Sequence, residues 1–324
     1  MVSVLLKPIS CAHHKILASV SLLALLFGAF VASSAALAMD DVEQARNLLR
    51  KMVSANRELD YQGIFTYEHA GSLKSIRITH LLEDGLEYEK LLYLNGPRKE
   101  IVRRGVSPKC RQTEDRFLQG IPMPTEHISN LESHYELFLR GEDRVADRLV
   151  KIIHIVPKDA LRYGYILSID SESGLLLQSL LVGTNRRVME RFQYVDLTLG
   201  VDDSVAAELL TPAIEQLADN CAKESAPATS MLWKANWLPP GFELAASHQD
   251  GDGNVSMSYT DGLSFVSVFV DSGEVTRFPD IQAQRGATVA QLAKVVYNGK
   301  DYAICVVGEV PPETASKIAQ FVSP

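Results

Sequence analysis

The sequence predicts an α+β protein, in which a half-open antiparallel β-barrel with a helical lid is followed by a smaller α+β domain. Two observations lead to this class. A helical period gives way to a period of two from Tyr61 onward, and the later strands are joined by hairpins too short for crossover helices. A chain of 324 residues also exceeds the usual size of one hydrophobic core, so two domains are expected.

The first 38 residues have the pattern of an export signal. Lys7 and Lys15 precede an apolar run over residues 16–31, and small residues follow up to Ala38. An uncleaved membrane anchor is the alternative, but the run is shorter than the roughly 20 residues that span a bilayer. We therefore predict export and cleavage after Ala38.

Charge and cysteine content restrict the function classes. Without its first 38 residues the chain holds 30 Lys and Arg against 40 Asp and Glu, a net charge of −10. Such an acidic body argues against nucleic-acid binding, which needs a basic face. Cys110, Cys221 and Cys305 remain, and the sequence leaves open whether two of them are bridged or all are buried thiols.

The elements of the large domain follow in order. An amphipathic helix is predicted over residues 41–58, where apolar residues recur at helical spacing. Strands follow from Tyr61, with a hairpin at Asn95-Gly96, then a loop-rich and partly helical stretch over about residues 106–140. Further strands are predicted at "RLVKIIHIV", "RYGYILSID", "GLLLQSLLVG" and "RVMERFQYVDL". Several are apolar on both faces, so helices must cover the sheet, which either fills its interior or encloses an apolar cavity.

The C-terminal part has its own pattern of elements. Strands in "VSMSYTDGLSFVSVFVD" and "YNGKDYAICVVGE" hold turn pairs at Asp261-Gly262 and Asn298-Gly299, and "ETASKIAQFV" predicts a closing helix. We expect a signal peptide over residues 1–38, a large domain over 39–212, a linker over 213–230 and a small domain over 231–324.

No catalytic or cofactor-binding pattern is present in the sequence. It has no Gly-x-Ser-x-Gly turn, no His-Glu-x-x-His and no phosphate-binding glycine loop, so we predict neither an enzyme nor a cofactor. His127 and His134 share a helical spacing without a third metal ligand. Residues 250–261 imitate a calcium loop, but Val255 stands where that loop requires glycine, so a polar hairpin is expected and no metal site.

Aromatic pairs two residues apart suggest a shared sheet face. Each pair points to one side of its strand, either as ordinary core or as the lining of a cavity for an amphiphile. The lipid-cavity candidates are Phe65, Tyr67, Ile76, Ile78, Tyr163, Tyr165, Leu167, Phe192 and Tyr194.

The basic hairpin "LYLNGPRKEIVRRG", residues 92–105, stands out in an acidic chain. Its second strand is cleanly buried on neither side, which favours a solvated edge strand protected by cations. The alternative is a cavity rim at which Arg98, Lys99, Arg103 and Arg104 meet lipid phosphates.

Several stretches, in order, resemble the MucB/RseB family of periplasmic regulators. They are "YLNGPRKEIVRRG", "DRLVKIIHIVPKDALRYGYILSIDSESGLLLQS", "WLPPGF", "YTDGLSFVSVFV" and "VVGEVPPETASKIA", and the resemblance covers nearly the whole chain after residue 38. It implies a large domain similar to the LolA and LolB lipoprotein carriers, and a location in the periplasm.

The same resemblance implies a function. A member of this family would bind the periplasmic part of a transmembrane anti-sigma factor of the MucA or RseA type and shield it from the site-1 protease. Lipopolysaccharide or the acyl chains of mislocalised lipoprotein would release it, which makes it a negative regulator of a sigma-E or AlgU-type factor and, in some organisms, of alginate production. A periplasmic lipid or lipoprotein carrier of the LolA type is the alternative function, and a homodimer is left open.

Overall fold

The computed structural model describes residues 41–106, 128–211, 232–272 and 281–324. The helices are α1 (residues 41–58), α2 (Ile128–His134), α3 (Asp203–Leu210) and α4 (Pro312–Gln320). The first nine strands are β1 (Tyr61–His69), β2 (Ser72–Glu83), β3 (Leu86–Tyr93), β4 (Glu100–Val106), β5 (Tyr135–Val145), β6 (Arg148–Pro157), β7 (Gly164–Asp170), β8 (Leu176–Val182) and β9 (Val188–Leu199). The others are β10 (Lys234–Ala235), β11 (Glu243–Gln249), β12 (Val255–Thr260), β13 (Phe265–Asp271), β14 (Ile281–Arg285), β15 (Thr288–Tyr297), β16 (Lys300–Gly308) and β17 (Val322–Ser323).

The first nine strands form one antiparallel sheet in the order β4-β3-β2-β1-β9-β8-β7-β6-β5. Among the described strands, β4 and β5 are its two edges and do not pair with each other. Strand β5 nevertheless contacts β9 with three strands between them, so this half of the sheet is strongly curved.

Helix α1 covers one face of this sheet as an amphipathic lid. Leu49 and Met52 are 0% and 1% exposed and belong to the same apolar cluster as the strands beneath them. Their spacing is the helical one that the sequence predicts. Truncating Leu49 to alanine would cost about 2–5 kcal/mol because its site is closely packed. The open curved sheet and its helical cover confirm the predicted α+β class.

The C-terminal residues form a second antiparallel sheet in the order β11-β12-β13-β16-β15-β14. Helix α4 packs on one face of it, where Ala315, Ile318 and Ala319 are buried against a cluster that includes Val268 and Ile304. Pro312 starts the helix, since its fixed φ suits the first turn and its missing N–H is not needed there. Asn298 and Gly299 both have positive φ in the two-residue turn between β15 and β16, as predicted.

The prediction of a loop-rich and partly helical stretch over residues 106–140 was wrong at the C-terminal end of that stretch. Residues 135–140 belong to β5, which pairs with β6 over its whole length. A register shift between Leu139 and Glu142 interrupts the period of two, and Gly141 adopts a φ of +86° there. Because this shift interrupts the alternation of side chains between the two faces, the sequence pattern does not predict the strand.

The hairpin predicted at Asn95-Gly96 forms between β3 and β4, but through a longer turn. Of the two residues Gly96 has positive φ, while Asn95 uses its side chain instead. Its Oδ1 accepts from the Ser75 N–H at 2.8 Å and its Nδ2 donates to the Leu73 carbonyl at 2.9 Å, which ties the turn to β2.

Several predictions fall on residues outside the described ranges. They include the signal peptide and its cleavage site, the linker over 213–230, Cys110, Cys221 and His127. Within the described ranges no helix combines the length and the apolar character needed to cross a membrane.

Candidate functional site

The register of the nine-stranded sheet places eight of the nine lipid-cavity candidates on one face, which we call the inner face. Phe65 lies opposite Ile76 on β2 and opposite Tyr194 on β9, and directly opposed residues point to the same side. The eight are Phe65, Tyr67, Ile76, Ile78, Tyr165, Leu167, Phe192 and Tyr194. Tyr163, the ninth, precedes β7 and joins the same apolar cluster.

The inner face is closely packed in this conformation. The rings of Phe65 and Phe192 have centroids 4.9 Å apart, and Phe65 is 0% exposed beneath α1. Tyr67 packs against the cluster from a partly buried position. The structure therefore brings all nine candidates together as one apolar interior.

Two tyrosine hydroxyl groups of the inner face contact polar groups at one end of the sheet. Tyr67 donates to Oε2 of Glu190 at 2.7 Å, and Tyr165 reaches the carbonyl oxygen of Leu263 at 3.4 Å. Burial is the main reason that the pKa of Tyr163, nearby, rises to about 12. The hydroxyl of Tyr67 thus contacts a carboxylate of its own sheet, and that of Tyr165 contacts the C-terminal part of the chain.

The basic hairpin forms one edge of the sheet, and its cations divide between the two faces. Arg103 lies opposite Glu89 on the inner face, and its Nη1 donates to Oε2 of that carboxylate at 2.8 Å. Lys99 places its Nζ 4.8 Å from the ring centroid of Tyr93. Arg98 is exposed in the turn.

Arg104 belongs to the outer face, where α3 lies. Its Nε donates to the carbonyl of Leu209 at 2.8 Å, and Lys90 reaches Glu208 of the same helix at 2.8 Å. The four predicted rim cations therefore do not converge on one face. Arg103 and Arg104 bond to neighbouring groups at this edge, although Arg104 is exposed, while Arg98 and Lys99 are exposed beside the turn.

A buried ion pair joins the two sheets. Arg162, just before β7, donates through Nη1 to Oδ2 of Asp261 at 2.6 Å, and both side chains are 0% exposed. Tyr135 donates its hydroxyl to the same Oδ2 at 2.8 Å, and Arg162 Nη2 donates to the carbonyl of Pro240 at 2.7 Å. Burial opposes the charge of Arg162, but Tyr135, Asp261 and Asp159 raise its pKa. A charge pair this deep is tolerated because its polar atoms are hydrogen-bonded.

A second polar contact lies where the turn between β14 and β15 meets the inner face. Glu190 accepts from the Ala287 N–H at 3.3 Å, and its Oε1 lies 2.7 Å from Nδ1 of His69. Gly286 sits against His69 so closely that a Cβ there would stand 2.9 Å from the ring. Burial, with a smaller contribution from Glu190, raises the pKa of Glu309 to about 8.

Apolar side chains accompany both polar contacts. Leu263 and Ala287 are 1% and 0% exposed, and both belong to the apolar cluster of the inner face rather than to the cluster of their own sheet. Leu263 comes from the turn over residues 261–264, and Ala287 comes from the turn over residues 285–288.

These contact residues could not be identified from the sequence. The sequence pattern predicts a turn at Asp261 and places it last in a stretch that imitates a calcium loop, whereas its side chain is buried against Arg162. Asp250 instead organises the polar hairpin between β11 and β12, accepting from the N–H groups of Asp252 and Asn254 at 2.9 Å. Among the residues that the structure describes, no three His, Cys, Asp or Glu side chains form a metal-binding group.

Comparison with known proteins gives consistent matches along the chain. It matches the MucB/RseB N-terminal domain over residues 44–214 and the MucB/RseB C-terminal domain over residues 227–323. The Sigma factor AlgU regulatory protein MucB of Pseudomonas aeruginosa is 34% identical over 312 residues, covering 93% of this chain and 96% of that protein. The Sigma-E factor regulatory protein RseB of Escherichia coli K12 is 27% identical over 290 residues, covering 85% and 89%.

Solved structures agree with these matches. The complex structure of Pseudomonas aeruginosa MucA/MucB has a TM-score of 0.68 at 33% identity, covering 87% of this chain and 99% of that one. A crystal structure of MucB alone gives a TM-score of 0.60 at 31% identity, covering 87% and 98%.

Fold and site together define a two-sheet protein in which a lidded sheet with an apolar inner face carries a smaller sheet docked at one end. The matches give this class its family. The chain belongs to the MucB/RseB family, which confirms the resemblance found in its sequence.

Proposed function

We propose that the protein is a periplasmic negative regulator of an extracytoplasmic sigma factor of the sigma-E or AlgU type. The observation that carries this proposal is the match of both halves, in order, to relatives named as sigma factor regulatory proteins. The protein would act by binding and not by turnover. It would be exported through a signal peptide that is cleaved after Ala38.

The partner we propose is the periplasmic part of a transmembrane anti-sigma factor of the MucA or RseA type. A relative of similar fold has been solved as a MucA/MucB complex, which supports this choice. Binding would shield the anti-sigma factor from site-1 proteolysis. We assign the large domain to residues 39–212 and the smaller, partner-binding domain to residues 231–324, joined by a linker over 213–230.

The signal we propose is an acyl chain from lipopolysaccharide or from mislocalised lipoprotein. The eight candidates of the inner face, together with Tyr163, offer the apolar environment that such a chain needs. At the edge of the sheet, Arg98 and Lys99 are exposed and would meet lipid phosphates. A lipid can weaken partner binding only by its different affinity for two arrangements of the protein.

Co-purification tests the partner and the signal together. The purified protein, mixed with a soluble anti-sigma periplasmic domain, should retain it and slow its cleavage by the site-1 protease. Added lipopolysaccharide should restore cleavage. Retention of lipoproteins from an envelope extract without retention of the anti-sigma domain would favour the LolA-type carrier instead.

A further inference from the structure

Two turns of the C-terminal sheet enter the apolar interior of the N-terminal one. The turn over residues 261–264 inserts Leu263, and the turn over residues 285–288 inserts Ala287, at 1% and 0% exposure. The C-terminal sheet has a separate apolar cluster of its own, so these two side chains do not serve their own core. Leu263 lies next to Tyr165 and Ala287 next to Glu190, both of the inner face.

Directional polar contacts hold both turns in this position. Oδ1 of Asp261 accepts from the N–H groups of Leu263 and Ser264 at 3.0 and 2.8 Å, which shapes the first turn while Oδ2 binds Arg162. In the second turn, Ala287 donates its N–H to Glu190, which belongs to the inner face. The turns are therefore fixed against the inner face and not merely adjacent to it.

The second turn fits only because of a glycine. Gly286 has a φ of +60°, and it lies so close to His69 that a Cβ built on it would stand 2.9 Å from the imidazole ring. Gly299, in the neighbouring hairpin, has a φ of +75° but nothing within 4 Å of a Cβ built on it. Both turn glycines adopt a positive φ that favours glycine, but of the two it is Gly286 that lies against the N-terminal sheet.

An acyl chain cannot enter a close-packed interior without displacing something from it. Displacing α1 would expose five buried apolar residues, Ala45, Leu49, Met52, Val53 and Ala55. Displacing the two turns would expose Leu263 and Ala287, a much smaller apolar area. By apolar area the turns are the smaller part to displace, and their displacement would also separate Asp261 from Arg162.

We propose that these two turns form a stopper, so that an acyl chain and the C-terminal sheet compete for the same end of the inner face. This inference rests on the lipid binding proposed above, and gives it a residue-level mechanism. The inserted stopper would belong to the arrangement that binds the partner; the whole chain has a TM-score of 0.68 to the MucA/MucB complex structure and of 0.60 to MucB alone. An acyl chain that expels the stopper would therefore reduce affinity for the partner.

Fluorescence titration with 11-(dansylamino)undecanoic acid, an acyl probe, tests the stopper on the whole purified protein. Gly286→Ala and Leu263→Ala weaken insertion and should bind the probe about tenfold more tightly than the unchanged protein, since a larger fraction is competent to bind. Gly299→Ala is the control for glycine strain, and Leu244→Ala, at an exposed position, is the control for leucine truncation. Both controls should bind within about twofold of the unchanged protein.

Hydrogen exchange provides a second readout that does not depend on the variants. Added probe should remove the protection of the amides in residues 261–264 and 285–288 of the unchanged protein. If the unchanged protein and all four variants bound the probe equally, and the amides of the two turns stayed protected, the stopper mechanism would be wrong while the proposed lipid binding would stand. If none bound it, including Gly286→Ala, both the lipid site and the stopper would be wrong.

Discussion

Arg162 and Asp261 lie 99 positions apart in the chain, yet Nη1 of one donates to Oδ2 of the other at 2.6 Å and neither is exposed to solvent. Arg162 belongs to the connection before β7, and Asp261 to the turn after β12. The pair thus joins the two sheets where Leu263 is inserted. Its energetics should determine how firmly they dock.

Replacing Asp261 by asparagine tests this pair. Asp261→Asn leaves the guanidinium of Arg162 with the partly exposed Asp159 carboxylate as its remaining counter-charge, so we expect a loss of about 3 kcal/mol in the free energy of unfolding, measured with urea. Asp252→Asn, at an exposed position of the β11–β12 hairpin, should change it by less than about 0.5 kcal/mol. Equal stability of the two variants would contradict a docking role for the pair.

The buried carboxyl group of Glu309 should make stability depend on pH. Its pKa is raised from 4.5 to about 8, so the folded protein holds a proton that the unfolded chain releases above its ordinary pKa. The free energy of unfolding should therefore fall as the pH rises from about 4.5 to 8, by up to about 5 kcal/mol. Glu309→Gln should remove this decline, whereas Glu313→Gln, at an exposed position of α4, should retain it. Thermal unfolding across this range measures both.

The hairpin between β7 and β8 should weaken in acid. Arg148 donates to both carboxylate oxygens of Asp170, at 3.1 and 2.8 Å. Burial opposes the charge of Asp170, but the bonds from Arg148 and Ser173 outweigh it and lower its pKa. This stabilisation is present above the unfolded pKa of about 3.9 and is lost as the pH falls through the lower folded value.

Asp170→Asn should cost about 2–3 kcal/mol at pH 7 and flatten the loss of stability below pH 4. Chemical denaturation at pH 3 and pH 7 measures the difference. If Asp170→Asn lost as much stability in acid as the unchanged protein does, the loss of stability below pH 4 would come from other carboxylates.

Arg103 should prove structural, which affects how the basic edge can be tested for lipid binding. Its partner Glu89 has a side chain only 4% exposed, and Oε1 of Glu89 has no hydrogen-bond partner among the described residues. Arg103→Gln should therefore destabilise the protein by about 2 kcal/mol, and adding Glu89→Gln should restore most of it. Urea denaturation of both single variants and the double variant gives the coupling.

Arg98 and Lys99 allow the cleaner test of lipid binding at this edge. Both are exposed, so Arg98→Glu combined with Lys99→Glu should leave the free energy of unfolding within about 1 kcal/mol. If they contact lipid phosphates, binding to lipopolysaccharide vesicles should fall severalfold and the difference should shrink in high salt. Unchanged binding would leave the hairpin as a protected sheet edge.

The parts that could be predicted from sequence are those set by local periodicity. Phe65 with Tyr67 and Phe192 with Tyr194 follow a period of two, which fixes a common face before the strand partners are known. The Asn298-Gly299 pair likewise predicts a two-residue hairpin turn, because both of its residues readily adopt a positive φ. The fold class and the membership of the inner face follow from such signals.

Contacts between the sheets could not be predicted in the same way. Leu263 has the composition of a turn next to a strand, and nothing local indicates that it packs in another sheet. Arg162 and Asp261 are polar residues in connecting segments, where a solvated position is the usual expectation. Their burial depends on docking between distant parts of the chain, which a periodicity argument does not contain.

Arg104 has a consequence for what happens after the sheets separate. By holding the Leu209 carbonyl it fixes the last turn of α3 to the edge of the large sheet, and residues 212–231 join that part of the chain to the C-terminal part. Fully extended, such a connection reaches roughly 70 Å. An expelled C-terminal sheet therefore stays at an effective concentration that reaches the millimolar range for short linkers. Reinsertion is then an intramolecular step whose rate is independent of protein concentration, and the response resets as soon as the acyl chain leaves.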